Sequence, residues 1–266
     1  MSPTFKHGRG HHIHYVEQGE GRNIVFAHGF VMDHTMFAAQ FEELPTTHRC
    51  VAWDMRGHGR SDCPDGPWEM QDIVDDLIEF VESVAPHCHL VGMSLGGMTA
   101  VRLALQRPDL LHSLTLVDAD AGGVDPNWEG SYRDFQATIE REGITEELVR
   151  STAPLFYGPP FIEAQPEVID FHVQRAHDMR PEALIEGLRV LIERPSVNDH
   201  LGEIKLPTLV IHGELDASIP VAVGEEMAKA IPGAEFVKIP GAGHTTPMEA
   251  PDAVNEALAR FYQRVD

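Results

Sequence analysis

The stretch His89–Leu105, HLVGMSLGGMTAVRLAL, constrains this chain more than any other. His89 to Met93 is apolar enough for a buried strand. From Ser94 onward Met98, Val101 and Leu105 recur at helical spacing until Pro108 forbids continuation. A strand that becomes a helix at one serine must turn a very sharp corner. Such a corner strains the serine backbone and is sterically open only where the residues two before and two after carry no side chain, a demand that Gly92 and Gly96 meet. It also lifts the Ser94 hydroxyl clear of the sheet and leaves the N–H of Leu95 aimed at anything bonded to that oxygen. The pattern G-x-S-x-G by itself often makes only a turn. Its chemistry depends on a second oxyanion donor, an acid and a histidine elsewhere.

The rest of the chain repeats the strand–helix alternation. Apolar strands are expected at Ile24–Ala27, Cys50–Trp53, Leu114–Val117, Thr208–Ile211 and Glu235–Ile239, after an opening alternating stretch at His11–Gln18. Helices are expected at Thr35–Leu44, Met70–Val84, from Pro220 and at Asp252–Val265. In Met70–Val84 the residues Ile73, Val74, Leu77, Ile78, Val81 and Val84 form an apolar face, with Asp75, Asp76, Glu79 and Glu82 toward water. This order predicts an α/β fold, a mostly parallel sheet with helices on both faces. Between Gly122 and Glu203 the strands lapse into helical stretches broken at Gly158-Pro159-Pro160 and Pro195. The expected organisation is therefore a core of residues 1–121 and 204–266 with a helical lid, 122–203, inserted between two strands. The densest apolar patch of that lid is Leu155, Phe156, Tyr157, Phe161 and Ile162, the candidate substrate-binding residues.

Parallel strands end on one edge of a sheet, so the loops after them converge. Those loops carry Ser94, then Asp216 in HGELD, then His244 in GAGH. A serine hydroxyl is too weak an acid to react unaided at neutral pH. A histidine near its natural pKa can take its proton, and a buried carboxylate can hold the imidazole in the right tautomer. Asp216 is the preferred acid, with Glu214 and Asp118 as competitors because each also follows a strand. His58, in the loop Asp54–Asp62, is a second histidine; Arg56, His58 and Asp62 are expected to pin that loop. Gly29, directly after the strand Ile24–Ala27, lets the N–H of Phe30 face the same oxygen as that of Leu95.

Composition narrows the partners. With 20 basic and 42 acidic residues the formal charge is −22, which repels nucleic acid and anionic membranes. The N-terminal stretch lacks an apolar leader and no run reaches membrane-spanning length, so a cytoplasmic location is expected. Cys50, Cys63 and Cys88 form no spaced pair, which suits free thiols. His11, His12 and His14 lie on adjacent strand positions and cannot all converge on one ion, so no metal site is expected.

Together the HGF turn, DMRGHGRSD, GMSLGG, HGELD and GAGH resemble, in order, the marks of the α/β-hydrolase fold superfamily. Within it the chain is most similar to the esterase, 3-oxoadipate enol-lactonase and cofactor-free perhydrolase group. That resemblance implies an eight-stranded, mostly parallel sheet under a helical lid. It also implies a Ser94–Asp216–His244 triad, an oxyanion hole from the N–H groups of Phe30 and Leu95, and no cofactor. Dehalogenases and epoxide hydrolases of the superfamily carry aspartate where this chain has Ser94, which sets them aside. The expected activity is cleavage of a carboxylic ester or lactone through an acyl-enzyme. Its rivals are a lactonase of aromatic catabolism or signalling lactones, a C–C bond hydrolase, and a non-enzymatic ligand sensor. A dicarboxylate substrate would need a lid cation, for which Arg133, Arg141, Arg150, Arg175, Arg180 and Arg189 are candidates.

Overall fold

A computed structural model describes residues 3–266. Its sheet has eight strands: β1 (Thr4–Lys6), β2 (His12–Gln18), β3 (Arg22–Ala27), β4 (His48–Trp53), β5 (Cys88–Met93), β6 (Leu111–Val117), β7 (Thr208–Gly213) and β8 (Glu235–Ile239). They run in the order β1-β2-β4-β3-β5-β6-β7-β8. β1 pairs antiparallel to β2 and β2 to β4, and every later pairing is parallel. The fold is the expected mostly parallel α/β sheet.

Among the described residues, eleven α-helices accompany the sheet: α1 (Ala38–Glu43), α2 (Met70–Val84), α3 (Leu95–Gln106), α4 (Pro126–Glu142), α5 (Glu146–Phe156), α6 (Pro159–Ala164), α7 (Val168–Asp178), α8 (Pro181–Glu193), α9 (Val221–Ala230), α10 (Thr246–Glu249) and α11 (Pro251–Val265). Along β3 the side chains alternate between two cores. Val25 and Ala27 join the layer made with α2, α3 and α9, through residues such as Leu77, Phe80, Val101 and Met227. Ile24 and Phe26 join the layer made with Phe37, Leu258 and Phe261. Strands covered on both faces need continuous apolar runs, and β5 and β7 are buried at every position. Their C-terminal ends are consequently held rigidly.

Helix α2 has the bounds its apolar periodicity predicts, and a reciprocal capping box between Glu69 and Asp72 fixes its start. Asp76 departs from expectation. It is buried, its carboxylate gripped by Arg56 Nε and a terminal Arg56 nitrogen at 2.6 and 2.7 Å. A sequence-distant cation is what allows an acid on that side of the helix to leave water.

Helices α4–α8 lie between β6 and β7, α4 packing on α8 and α5 on α7. The short α6 occupies the Gly158-Pro159-Pro160 region that reads as a break. Proline at the first helical positions starts a helix as readily as it ends one. Among the described residues no helix is long and apolar enough to cross a membrane.

Candidate active site

Ser94 sits where β5 meets α3, at φ 50° and ψ −119°. Non-glycine residues rarely hold that conformation, and here the surroundings enforce it. The Ser94 N–H donates to the carbonyl of Val117 on β6 at 2.9 Å, and the first α3 turn closes by a bond from the Met98 N–H to the Ser94 carbonyl at 2.8 Å. A Cβ on Gly96 would stand 2.2 Å from the Ala27 carbonyl oxygen, and one on Gly92 would stand 2.5 Å from that of Gly96. Both obstacles are backbone and neither can swing aside. Gly96→Ala should therefore lower stability by about 3 kcal/mol. In a domain of this size that is a fall of roughly 6–12 °C in melting temperature. Calorimetry of the variant checks this; an unchanged melting temperature would mean the corner is softer than its packing implies.

The loops after β5, β7 and β8 bring Ser94, Asp216 and His244 together. The Ser94 hydroxyl lies 2.9 Å from His244 Nε2, and His244 Nδ1 lies 2.7 Å from Asp216 Oδ2. With Nδ1–H donating to the carboxylate, Nε2 is left to accept from the serine. The other carboxylate oxygen of Asp216 accepts from the N–H groups of Ser218 and Ile219 at 2.8 and 2.9 Å. These bonds close a tight turn that aims the side chain. Burial acts against charge on both partners. It is outweighed in each: the imidazole and its neighbours hold Asp216 down at about 2, and Asp216 lifts His244 above its ordinary value.

The competing acids separate clearly. Glu214 is exposed, its nearest partners Lys238 and the N–H of Gly241. Asp118 is fully buried close to the triad, yet it accepts from Gly213 N–H, Thr246 N–H and the Thr246 hydroxyl rather than from His244. Burial, reinforced by the charge of Asp216, pushes Asp118 up to about 7. Two adjacent buried carboxyls do not both ionise easily, and the one with more donors keeps the charge. That one is Asp216, which His212 Nε2 also approaches at 3.3 Å.

Beside the serine runs the turn His28-Gly29-Phe30. A Cβ on Gly29 would lie 3.3 Å from Ser94 Cβ, so the backbone here passes against the Ser94 side chain. His28 is buried and neutral, burial pushing its pKa down to about 3; its Nδ1–H donates to the Gly29 carbonyl and its Nε2 accepts from the Met55 N–H. Val31 follows at φ 62°. A β-branched residue in the left-handed region is a strained one, and no sequence pattern announces it.

A cavity of ≈ 280 Å³ opens over Ser94 and His244. Phe30, Met98, Trp128, Phe135, Leu188 and Leu191 give it apolar walls. Of the five expected substrate-binding residues, Leu155 and Phe156 face this cavity. Tyr157, Phe161 and Ile162 do not line it: Tyr157 is buried against Phe161 and His172, and Phe161 and Ile162 pack against the core layer that holds Ile24 and Phe26.

The alpha/beta hydrolase family profile matches residues 24–257. This chain belongs to the alpha/beta hydrolase family. Among solved members, the thermophilic esterase from Thermogutta terrifontis is 31% identical, with a TM-score of 0.91 over 100% of this chain and 99% of that one. The enol-lactonase from Burkholderia xenovorans LB400 superposes with a TM-score of 0.90 at 25% identity, over 98% of this chain and 100% of its own. The 3-oxoadipate enol-lactonase 1 of Acinetobacter baylyi is 26% identical over 244 residues, 91% of this chain and 89% of that protein.

The remaining singled-out residues of this alpha/beta hydrolase make their bonds outside the cavity. His58 is buried with Nδ1–H donating to the Arg56 carbonyl. His11, His12 and His14 turn to three different carboxylates, Asp76, Asp62 and Asp54. The six lid arginines are paired with acids outside the cavity: Arg133 with Glu129, Arg141 with Glu142, Arg150 with Glu146 and Asp170, Arg175 with Asp33, Arg180 with Glu182, and Arg189 with Glu186. Sequence reasoning missed Asp120 and Arg194, which do face the cavity.

Proposed function

We propose that this chain is a serine hydrolase of carboxylic esters or lactones that works through an acyl-enzyme, with Ser94, His244 and Asp216 as its triad. The observation that carries the reading is the hydrogen-bonded relay of 2.9 and 2.7 Å from Ser94 through His244 to Asp216 under an apolar cavity. The esterase and enol-lactonase relatives support the same reaction class.

Ser94 Oγ attacks the carbonyl carbon as its proton passes to His244 Nε2. The N–H groups of Phe30 and Leu95 receive the oxyanion of the tetrahedral intermediate. Its collapse expels the alcohol oxygen, which takes the proton from His244 and leaves the acyl group on Ser94. Water then repeats the sequence and frees the acid. In a lactone the leaving alcohol stays tethered to the product. Residues 122–203 act as the lid: their helices close the cavity over the acyl-enzyme, while 1–121 and 204–266 hold the triad.

The test is hydrolysis of a panel of p-nitrophenyl esters and lactones across pH. His244 must be neutral to accept the proton, and its pKa is raised. Activity should therefore fall as pH drops, with the acid limb of kcat/KM inflecting above about 6.5. Absence of turnover on every member of the panel, together with no labelling of Ser94 by a fluorophosphonate, would overturn the assignment.

A further inference from the structure

Part of the cavity wall is built by Asp120, just beyond β6, and Arg194, just beyond α8. Arg194 is the one lysine or arginine among the cavity's lining residues. Its side chain is 5% exposed and bonds Asp120 Oδ2 at 3.0 Å, while its other donors go to the carbonyls of Leu191, Gly122 and Gly123. The cation is thus neutralised by a carboxylate and held by backbone before any substrate arrives. Asp125, at the start of α4, adds a second negative group to the same wall.

A substrate carboxylate entering this cavity would meet Asp120 and Asp125 with no free cation. To bind it, Arg194 would have to leave Asp120, stranding a buried charge in place of the one it satisfied. The hydroxyls of Ser151, Thr152 and Ser218 on the same lining already donate to the carbonyls of Leu148, Val149 and Leu155, and the apolar side chains offer no compensation. An uncharged chain faces none of these obstacles.

We propose that the Asp120–Arg194 pair makes the cavity selective for uncharged acyl groups, so that esters and lactones bearing a free carboxylate on the acyl part are rejected. This rests on the ester-hydrolase reading above and narrows its substrate class. Asp120 acts here as a specificity residue. Without its charge Arg194 becomes an open carboxylate site.

Three methyl esters of matched chain length test this in a pH-stat at pH 8: methyl hexanoate, dimethyl adipate and monomethyl adipate, of which only the last carries a charge. The expected kcat/KM for monomethyl adipate is about a hundredfold below both neutral esters, the scale on which sites reject groups that leave buried polar partners unpaired. A value within tenfold of either neutral ester would overturn the inference. In Asp120→Asn the ratio of monomethyl to dimethyl adipate should rise at least tenfold, and Asp120→Asn/Arg194→Gln should return it toward the original. A ratio unchanged in folded Asp120→Asn counts against the inference. The comparison on the unaltered protein decides by itself if that variant does not fold. Hydrolysis of none of the three esters, with no Ser94 labelling, would instead remove the ester-hydrolase reading on which the inference stands.

Discussion

Ser94→Ala should lower kcat for a good ester by about 10⁴–10⁶ while leaving the fold intact. In the proposed mechanism the side chain lost carries the attacking atom, so the acyl-enzyme route closes. What survives is the contribution of oxyanion donors and cavity to direct attack by water, a residual of roughly 10³–10⁴ over the uncatalysed rate. Stability should change little. Alanine keeps the Cβ and therefore the same strained backbone at φ 50°, and the only bond removed is the one from the hydroxyl to His244 at 2.9 Å. A melting temperature within a few degrees of the parent, with KM nearly unchanged, separates loss of chemistry from loss of structure. A fall in kcat of less than tenfold would show that Ser94 is not the nucleophile.

The corner around Ser94 was legible because its cause is local. Gly92 and Gly96 are required by contacts that a five-residue turn makes with its own helix and the adjacent strand end. The bounds of α2 were legible for the same reason: a one-sided apolar repeat lies within one segment. Long-range pairings behaved differently. The apolar repeat of α2 places Asp76 toward water, and only the fold brings Arg56, twenty positions away, to it. Arg194 follows a helix end and precedes Pro195, the ordinary setting of a surface arginine, and only the fold brings Asp120 to it.

The same limit governs the candidate substrate residues. An apolar residue on a helix faces either a cavity or a neighbouring side chain, and periodicity treats the two alike. Leu155 and Phe156 meet the cavity, whereas Tyr157, Phe161 and Ile162, beyond or beside the turn at Gly158-Pro159, meet the core. The deciding quantity is the direction in which each side chain leaves the end of α5 or the body of α6. Helix α6, six residues long with two prolines, is too short to set up a repeat that reveals it.

The rivalry between Asp216 and Asp118 is the case in which local sequence is least informative, since both are aspartates just after buried strands. Geometry predicts a sharp split between their asparagine variants. In Asp216→Asn the Oδ1 position can still accept from Ser218 and Ile219, which places the amide nitrogen opposite His244 Nδ1. Two donors then face each other. The imidazole escapes by moving its proton to Nε2, the tautomer that cannot take a proton from Ser94. With the negative charge gone, burial also draws the His244 pKa down. The expected result is a fall in kcat of about 10³–10⁴, with the acid limb of the pH profile displaced to lower pH. Asp118→Asn keeps an acceptor for Gly213 and Thr246 and removes a group already held close to its neutral form at about 7. Its activity should stay within about tenfold of the parent, since loss of a single neutral hydrogen bond is worth about 1 kcal/mol. Steady-state kinetics of the two variants on one ester decide the matter. The reverse order of effects would transfer the role of the acid to Asp118.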